Sequence, residues 1–386
     1  MRVIFTCGGS AGHVNPALAV AQQFEQKHPG CEILFVGAER GMEQRLVKQA
    51  GYPIETVKVS TFERAWSWKV LKHNLSSAFK LPVGQHEAAS VLKKFKPDLV
   101  VGTGGYASYP AVHEAARRHI PCAIHESNAY PGLTTRALAN KVDLVMVGFP
   151  EAAEYYKDAK RVAVTGTPVR GEFFSLGRER ARLELGLTDS QPLVISFWGS
   201  QGAGHMSEKT VDLAERWAAE GRPFHYIHAA GRDYEDMTAE LAKRGVAVTD
   251  REIRPYIDDM PVVMAAADLV ICRAGASTIG ELTALGKPAI LVPSPFVAAN
   301  HQFKNAKVLA DRGGVELIEE KDCTGESLYQ AAMDLLADGS RRAAMGRALK
   351  ELASPRAAQD IYENLISLLC DYRDECSLKT EYRNKS

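Results

Sequence analysis

The sequence has no excess of charge of either sign, because 47 lysines and arginines balance 47 aspartates and glutamates. Such a chain is poorly suited to binding nucleic acid through bulk charge. No uncharged apolar run approaches the roughly 18 residues that a membrane-spanning helix needs, and residue 1 leads straight into a predicted strand, so we expect no signal peptide. The seven cysteines include no C-x-x-C pair, which favours free thiols in a reducing compartment.

Three ligand-binding motifs are also missing from the sequence. No glycine cluster matches the dinucleotide pattern G-x-G-x-x-G, and none continues into the G-K-[ST] of a P-loop. No Asp-x-Asp pair is present, and Asp258 and Asp259 are adjacent, so their side chains should point in different directions. We therefore expect no metal site of the Asp-x-Asp kind.

What the sequence does contain is an alternation of short apolar runs with helix-patterned stretches, which predicts parallel sheets with crossover helices. The predicted strands are 2–7, 32–36, 54–58, 98–102, 121–125, 142–148, 161–165, 192–197, 223–229, 246–250, 268–272, 288–292 and 314–318. We expect two doubly wound α/β domains, 1–168 and 169–349, facing a cleft. A helix at about 350–370 is expected to pack back on the first domain, and the polar tail 374–386 to be disordered.

Three glycine-rich loops each follow a predicted strand: GGSAGH at 8–13, GTGGYAS at 102–108 and GSQGAG at 199–204. One such loop alone most often serves a turn, but three in both domains favour a site where backbone amides meet a phosphate. His13, at the end of the first loop, is a side chain able to exchange a proton near neutral pH.

A denser cluster, ADLVICRAGASTIGEL, lies at 267–282. It predicts a strand, then Arg273 and small residues, then a helix carrying Thr278 and Glu281. The helix start and Thr278 could hold a diphosphate, and Glu281 could accept hydrogen bonds from a ribose diol. The alternative is that Glu281 only complements the helix dipole, and spacing alone does not decide between the two.

These clusters together resemble the MurG-type glycosyltransferases of peptidoglycan synthesis. The resemblance is carried, in family order, by GGSAGHVNPALA (8–19), GTGGYAS (102–108), HESN (125–128), TPVR (167–170), GSQGA (199–203), YIDDM (256–260), CRAGASTIGE (272–281) and PFVAANHQFKNA (295–306). Two positions depart from the family pattern: Ser10-Ala11 replaces Thr-Gly, and Trp198 replaces a glycine.

The resemblance implies a GT-B fold whose first domain binds the acceptor and faces the membrane, while the second binds the UDP-sugar. With Arg273 added from the cluster above, the implied UDP-sugar positions are Ser10, Ala11, Gly12, Asn128, Arg170, Ser200, Ile257, Arg273, Ala276, Ser277, Thr278, Glu281, His301 and Gln302. The implied acceptor positions are Gly104, Gly105 and Tyr106.

The implied reaction is inverting: the acceptor's hydroxyl attacks the anomeric carbon of N-acetylglucosamine as UDP leaves, which converts lipid I to lipid II. Such a reaction needs a base and a means of stabilising the diphosphate charge. His13 is the first candidate for the base, and Glu126 and His125 are its rivals. We expect a chemical step without metal or other cofactor, with Ser200 and the helix start at 276–281 stabilising the charge.

The segment 62–81, FERAWSWKVLKHNLSSAFKL, combines aromatic, aliphatic and basic residues. Helical spacing puts Trp68, Leu71, Leu75 and Phe79 on one face. Lysines flank that face, as at a membrane interface. The residues expected to meet an anionic membrane are Trp66, Trp68, Lys69, Leu71, Lys72, Leu75 and Phe79, but an ordinary amphipathic helix packed on the sheet has the same pattern. The resemblance implies a peripheral enzyme on the cytoplasmic face of the cell membrane, with a role in cell shape and division.

Three other functions remain open at this point. A UDP-sugar 2-epimerase shares the two-domain architecture and the donor site but needs no lipid acceptor. A GT-B transferase could use another lipid acceptor, such as a diacylglycerol. A catalytically silent nucleotide-sugar binder would bind the donor without turnover.

Overall fold

The computed structural model describes residues 1–39, 41–59, 68–199 and 203–384, with the main chain alone at 68–81, 298 and 373–384. Its residues divide into two units. Unit 1 comprises Met1–Arg170 together with Pro355–Ser386, and unit 2 comprises Gly171–Ser354. No helix in the described part of the chain is long and apolar enough to span a membrane.

Unit 1 is built on a sheet of seven strands among its described residues, in the order β3-β2-β1-β4-β5-β6-β7, with every neighbouring pair parallel. The strands are β1 (Arg2–Thr6), β2 (Glu32–Ala38), β3 (Ile54–Val57), β4 (Leu99–Gly102), β5 (Cys122–Glu126), β6 (Leu144–Val147) and β7 (Val162–Val164). The helices of this unit are α1 (Ala11–Lys27), α2 (Glu43–Gln49), α3 (Trp68–Phe95), α4 (Ser108–Arg117), α5 (Leu133–Leu138) and the last helix of the chain, α15 (Ala357–Asn384).

The apolar face of α15 packs on α1 and completes one of the two cores of unit 1. Ile361 and Leu365 are buried with Phe5 and Phe24 in one cluster. Tyr362 packs edge-on against the Phe24 ring, with 5.0 Å between ring centroids. The C-terminal helix is thus part of the N-terminal unit. It continues through 374–384, where we had expected disorder; this stretch contains no glycine or proline that would end a helix.

Unit 2 repeats the design with six described strands in the order β10-β9-β8-β11-β12-β13, again parallel throughout. These are β8 (Leu193–Phe197), β9 (His225–Ala229), β10 (Ile253–Arg254), β11 (Leu269–Cys272), β12 (Ala289–Leu291) and β13 (Val315–Leu317). Its helices are α6 (Glu172–Ser175), α7 (Arg178–Glu184), α8 (Gly204–Ala219), α9 (Tyr234–Lys243), α10 (Met260–Ala266), α11 (Ala276–Leu285), α12 (His301–Ala310), α13 (Gly325–Ala337) and α14 (Gly339–Glu351).

The two parallel sheets confirm the predicted α/β fold class, and one predicted strand is wrong. Residues 246–250 form no strand. The third strand of unit 2 along the chain is instead the two-residue β10. The apolar alternation of Val246 and Val248 misled the prediction because both side chains pack on the core of unit 2 from a loop.

His228 on β9 gives unit 2 a predictable sensitivity to acid. Its ring is fully buried, with Nδ1 2.7 Å from the Ser196 hydroxyl, and burial lowers the pKa of His228 to about 3. In the unfolded chain the pKa of histidine is about 6.5, so the unfolded state binds the proton first as pH falls. We therefore expect the contribution of His228 to stability to be fully present above about pH 6.5 and to fall by about 1.4 kcal/mol per pH unit between there and about pH 3.

We expect urea denaturation between pH 7 and pH 5 to show this loss, and the substitution His228→Phe to remove most of the slope that unit 2 contributes. Ser196 and Tyr226 would keep their mutual hydrogen bond of 2.6 Å in that variant. An unchanged pH slope in the folded variant would contradict the assignment.

Candidate functional site

The glycine loops lie at the point in each sheet where the strand order reverses. In unit 1 the first and second loops follow β1 and β4, which are neighbours at the centre of the sheet. In unit 2 the third loop follows β8, and the segment beginning at Arg273 follows the adjacent β11. Ligands of doubly wound folds bind outside the carboxyl ends of the strands at such switch points. The topology therefore gives each unit one candidate site, at its glycine loops.

The first and second loops of unit 1 are in close contact. Gly105 has a φ of +79°, and a Cβ at this position would overlap the carbonyl oxygen of Gly8. A Cβ on Gly9 would lie 3.1 Å from the ring of Tyr106. Gly105 is required because the two loop backbones meet there where no side chain fits, and Gly9 leaves room for the ring of Tyr106 at a positive φ.

His13 lies in the first turn of α1 and is fixed from the second loop. The Thr103 hydroxyl donates to its carbonyl oxygen over 2.7 Å, and a Cβ on Gly104 would lie 2.6 Å from its ring Nδ1. The side chain is partly exposed, as are Ser10, Ala11 and Gly12 before it. Ser10 is the N-cap residue of α1, and its side chain accepts no capping hydrogen bond. The main chain of His13 is therefore held by Thr103, its ring lies close to Gly104, and the residue is partly exposed to solvent, as a base requires.

The rival carboxylate, Glu126, is already saturated with hydrogen bonds. Its two oxygens accept from the main chain and side chain of Asn128, from the Gly132 amide and from the Thr135 hydroxyl, at 2.5 to 2.9 Å. The side chain is also buried. A carboxylate in this state holds the loop 127–135 in shape, and the geometry argues against the role of base that we gave it from the sequence.

The other rival, His125, is buried beneath the same loop. Its Nε2 lies 3.0 Å from the carbonyl oxygen of Gly166, and its Nδ1 lies 3.2 Å from the Ser127 hydroxyl. Burial lowers the pKa of His125. This ring connects β5 to the segment that leads out of unit 1 toward Arg170, and it has no surface on which to meet an acceptor.

We expect the substitution Glu126→Gln to cost about 1–3 kcal/mol of stability, because the new amide group would face N–H donors that now meet an acceptor. Thermal unfolding and turnover at saturating substrate should be measured together. Thr135→Val, which removes one of the four donors, serves as the graded control and should cost less. Full stability combined with a 100-fold loss of kcat would instead point to Glu126 as the base.

In unit 2, α11 begins after a residue that has no side chain with which to cap it. Gly275 is the N-cap residue, and the first turn contains no acidic residue. Ser277 and Thr278 on this turn and Glu281 one turn later are all partly exposed. Amides of this kind attract an anion, and the half-exposed Glu281 is suited to a polyol group nearby.

Arg273, one of the predicted UDP-sugar residues, is engaged by other groups of unit 2. Its guanidinium is 6% exposed, lies 2.6 Å from the Glu320 carboxylate and donates to the carbonyl oxygen of Val292 over 3.0 Å. It also lies over the ring of Trp198. Nothing in the local pattern around Arg273 points to Glu320, an acidic partner 47 positions further on.

Trp198, which departs from the family pattern, is buried in the core of unit 2. It is 5% exposed, and its indole N–H donates to the Thr210 hydroxyl over 2.8 Å. After it, Gly199 has a φ of +95° with open space around it. Ser200 lies outside the described residues.

The first turn of α12 and the loop before it carry two predicted residues, His301 and Gln302, and one that sequence reasoning missed, Phe296. The side-chain carbonyl of Gln302 accepts from the Ser294 amide over 2.9 Å, which leaves its NH₂ group to donate to a ligand. His301 beside it is partly exposed. Phe296 is 72% exposed and stacks on His205 in the first turn of α8, with 5.3 Å between ring centroids. This stacked pair links the first turn of α8, directly after the third glycine loop, to the loop before α12.

The remaining predicted residues are placed without further contacts that assign them a role. Ile257, in the loop after β10, is 2% exposed, so it could meet a ligand only through its main chain. Ala276 is buried at the start of α11. The main chain is helical from Trp68 through Phe79, but the side chains of this predicted membrane face, and Trp66, lie outside the description. No group of three or more metal-ligating side chains occurs among the residues searched, which are the described ones.

The sequence and the fold were compared with those of known proteins. The glycosyltransferase family 28 N-terminal domain matches residues 3–147, and the family 28 C-terminal domain matches residues 193–361. The chain is 42% identical to a protein of Acetivibrio thermocellus, and the match covers 94% of this chain and 97% of that protein. That relative is named UDP-N-acetylglucosamine--N-acetylmuramyl-(pentapeptide) pyrophosphoryl-undecaprenol N-acetylglucosamine transferase. The chain belongs to glycosyltransferase family 28. An equally named protein of Bacillus cytotoxicus is 35% identical over 96% of this chain and all of its own, and the resemblance to the MurG-type enzymes is confirmed.

Solved structures agree with this family and with the GT-B fold. MurG of Acinetobacter baumannii is 28% identical, with a TM-score of 0.68, and the match covers 95% of this chain and 99% of that one. A Staphylococcus aureus MnaA–UDP co-structure has the same TM-score at 16% identity, covering 95% and 98%. At that identity the likeness shows the fold alone.

Proposed function

We propose that this protein transfers N-acetylglucosamine from UDP-N-acetylglucosamine to the lipid-linked muramyl-pentapeptide, converting lipid I to lipid II in peptidoglycan synthesis. The observation that carries the proposal is similarity to transferases of that name over almost the whole chain, at up to 42% identity. The glycine loops at both switch points supply a site of the required kind in each unit.

For the UDP-sugar, we assign the diphosphate to the amides at the start of α11 and, from the family resemblance, to Ser200. Charge developing on the leaving UDP would be stabilised there by dipoles that are already oriented. Glu281 would accept from the ribose hydroxyls, the main chain of Ile257 would meet the uracil, and the NH₂ group of Gln302 would donate to the sugar. Phe296, stacked on His205, adds an exposed aromatic face beside that sugar position.

For the acceptor, we assign the first and second loops of unit 1. The acceptor hydroxyl attacks the anomeric carbon, the bond from that carbon to the UDP oxygen breaks, and the hydroxyl proton passes to the imidazole of His13. Inversion at the anomeric carbon follows because attack and departure occur on opposite faces. The chemical step as assigned uses no metal, and we expect UDP release in EDTA to stay within about twofold of the untreated rate, a change smaller than the loss of one charge-assisted contact. Loss of activity restored by Mg²⁺ would overturn this assignment.

The deciding assay measures UDP release from UDP-N-acetylglucosamine with and without the lipid-linked acceptor. Release only when the acceptor is present supports the transferase. Formation of the 2-epimer without acceptor would identify an epimerase instead. Release with diacylglycerol but not with the muramyl-peptide lipid would identify a different transferase, and donor binding with no turnover would identify a binder.

We further propose that the chain works at the cytoplasmic face of the membrane through the segment that contains Trp68, Lys69 and Lys72. Each lysine near an anionic surface contributes about 1 kcal/mol. Cosedimentation should therefore be stronger with anionic than with neutral vesicles and should weaken with salt, and Lys69→Glu with Lys72→Glu should reduce it. Equal binding to both vesicle types, insensitive to salt, would count against this proposal.

A further inference from the structure

Glu43, the first residue of α2, is a fully buried carboxylate that the sequence motifs did not single out. Its Oε1 accepts from the Ala38 amide over 2.8 Å, and its Oε2 accepts from the Gly9 amide over 3.2 Å. The second contact spans 34 positions of the chain and reaches the first glycine loop, immediately before Ser10 and the start of α1.

This carboxylate occupies space that is available because three neighbouring residues are glycines. A Cβ on Gly8 would lie 2.7 Å from Oε1, and a Cβ on Gly37 would lie 2.5 Å from Cγ. A Cβ on Gly41 would overlap both carboxylate oxygens. The carboxylate is thus enclosed by backbone from β1, β2 and the start of α2, and it can move little. A buried charge that is hydrogen-bonded to backbone amides is a strong constraint on the position of those amides.

The charge of this group also reaches the surrounding side chains. Burial, and then the Glu43 carboxylate, raise the pKa of Cys7 and that of Tyr106. The position beside the Gly9 amide, where a glycine loop would otherwise receive a phosphate, is therefore held by the protein's own anion.

We propose that Glu43 is a positioning residue for the transfer reaction: its carboxylate binds the Gly9 amide and so fixes the start of α1, where His13 lies. Glu43 holds the loop from one side, and Thr103 holds it from the other through the carbonyl oxygen of His13. This inference rests on the proposed function, because His13 must act on the acceptor for its placement to matter.

The test is the substitution Glu43→Gln, which keeps the size of the side chain but faces at least one amide with a donor. Gln44→Ala is the matched control: Gln44 is the next residue of α2 and donates to the carbonyl oxygen of the same Ala38, but it does not reach the glycine loop. We expect Glu43→Gln to lower kcat about 10- to 100-fold, as small misplacements of reacting groups do. KM for UDP-N-acetylglucosamine should stay within about twofold, and the control should keep its kcat.

A purely structural role would lower the melting temperature and affect kcat and KM alike, so the separation of the two parameters is the informative result. Wild-type kcat in folded Glu43→Gln would overturn the inference, whereas an inactive wild-type protein would overturn the proposed function. Should Glu43→Gln not fold, Glu43→Asp retains the charge but withdraws it from the Gly9 amide. We expect a lower kcat there too, and a folded aspartate variant with wild-type kcat would likewise overturn the inference.

Discussion

The substitution His13→Ala is expected to lower kcat by about 10²- to 10⁴-fold, the usual contribution of a general base, while UDP-N-acetylglucosamine affinity stays within about twofold. The affinity should persist because the donor contacts we assign lie mainly in unit 2. The loss should be large because the second loop fixes the main chain of His13 through Thr103 and lies against its ring at Gly104. UDP release at saturating substrates and calorimetric titration with the donor would measure the two quantities.

His86→Ala is the control for removing a histidine from unit 1, because His86 is exposed on α3. It should leave both quantities unchanged. Turnover close to that of the wild type in His13→Ala would remove this residue from the role of base. Since Glu126 is saturated and His125 is buried, the base would then have to be sought outside the three candidates.

The substitution Gly105→Ala is expected to destabilise unit 1 by about 3 kcal/mol or more and to abolish turnover. Two effects add: an alanine at φ +79° is strained by about 1–2 kcal/mol, and its Cβ would overlap the backbone of Gly8, which cannot rotate away. Forcing these loops apart also displaces the segment that leads into His13.

Gly51→Ala separates the two effects. Gly51 has a φ of +84°, but a Cβ there would meet nothing within 4 Å, so this variant has the strain without the overlap. It should lose only about 1–2 kcal/mol and remain active. Equal melting temperatures for the two variants would show that the loops can separate, contrary to the close contact described above.

The sequence predicted the parts of this site that depend on local pattern. Strand periodicity followed by glycines placed the loops at strand ends, and the structure puts those ends at the switch points of both sheets. The spacing at 276–281 likewise predicted a helix start with Glu281 one turn in, as α11 has it. These features depend on residues that are neighbours in the chain, so one sequence is sufficient to see them.

The contacts that decide the chemistry join residues far apart in the chain. The Thr103 hydroxyl meets the His13 carbonyl oxygen across 90 positions, and Glu43 meets Gly9 across 34. Arg273 is one of the predicted UDP-sugar positions, but the anion that its guanidinium meets in the structure is Glu320. Periodicity and spacing contain no information on which distant side chain will satisfy a buried charge.

Because α15 belongs to unit 1, it affects the order in which the two units can fold during synthesis. Ile361 and Leu365 complete the same core that holds α1, and Tyr362 bonds to His28 at the end of that helix. In the sequence, unit 2 comes between the two segments that make up unit 1. On the ribosome, unit 2 therefore emerges whole while the core behind the His13 loop still lacks its last helix. The first glycine loop is translated early, but the core beneath it is completed only by the last helix. A chain that ends before residue 357 should therefore contain all of unit 2 but lack the residues of α15 that pack on α1.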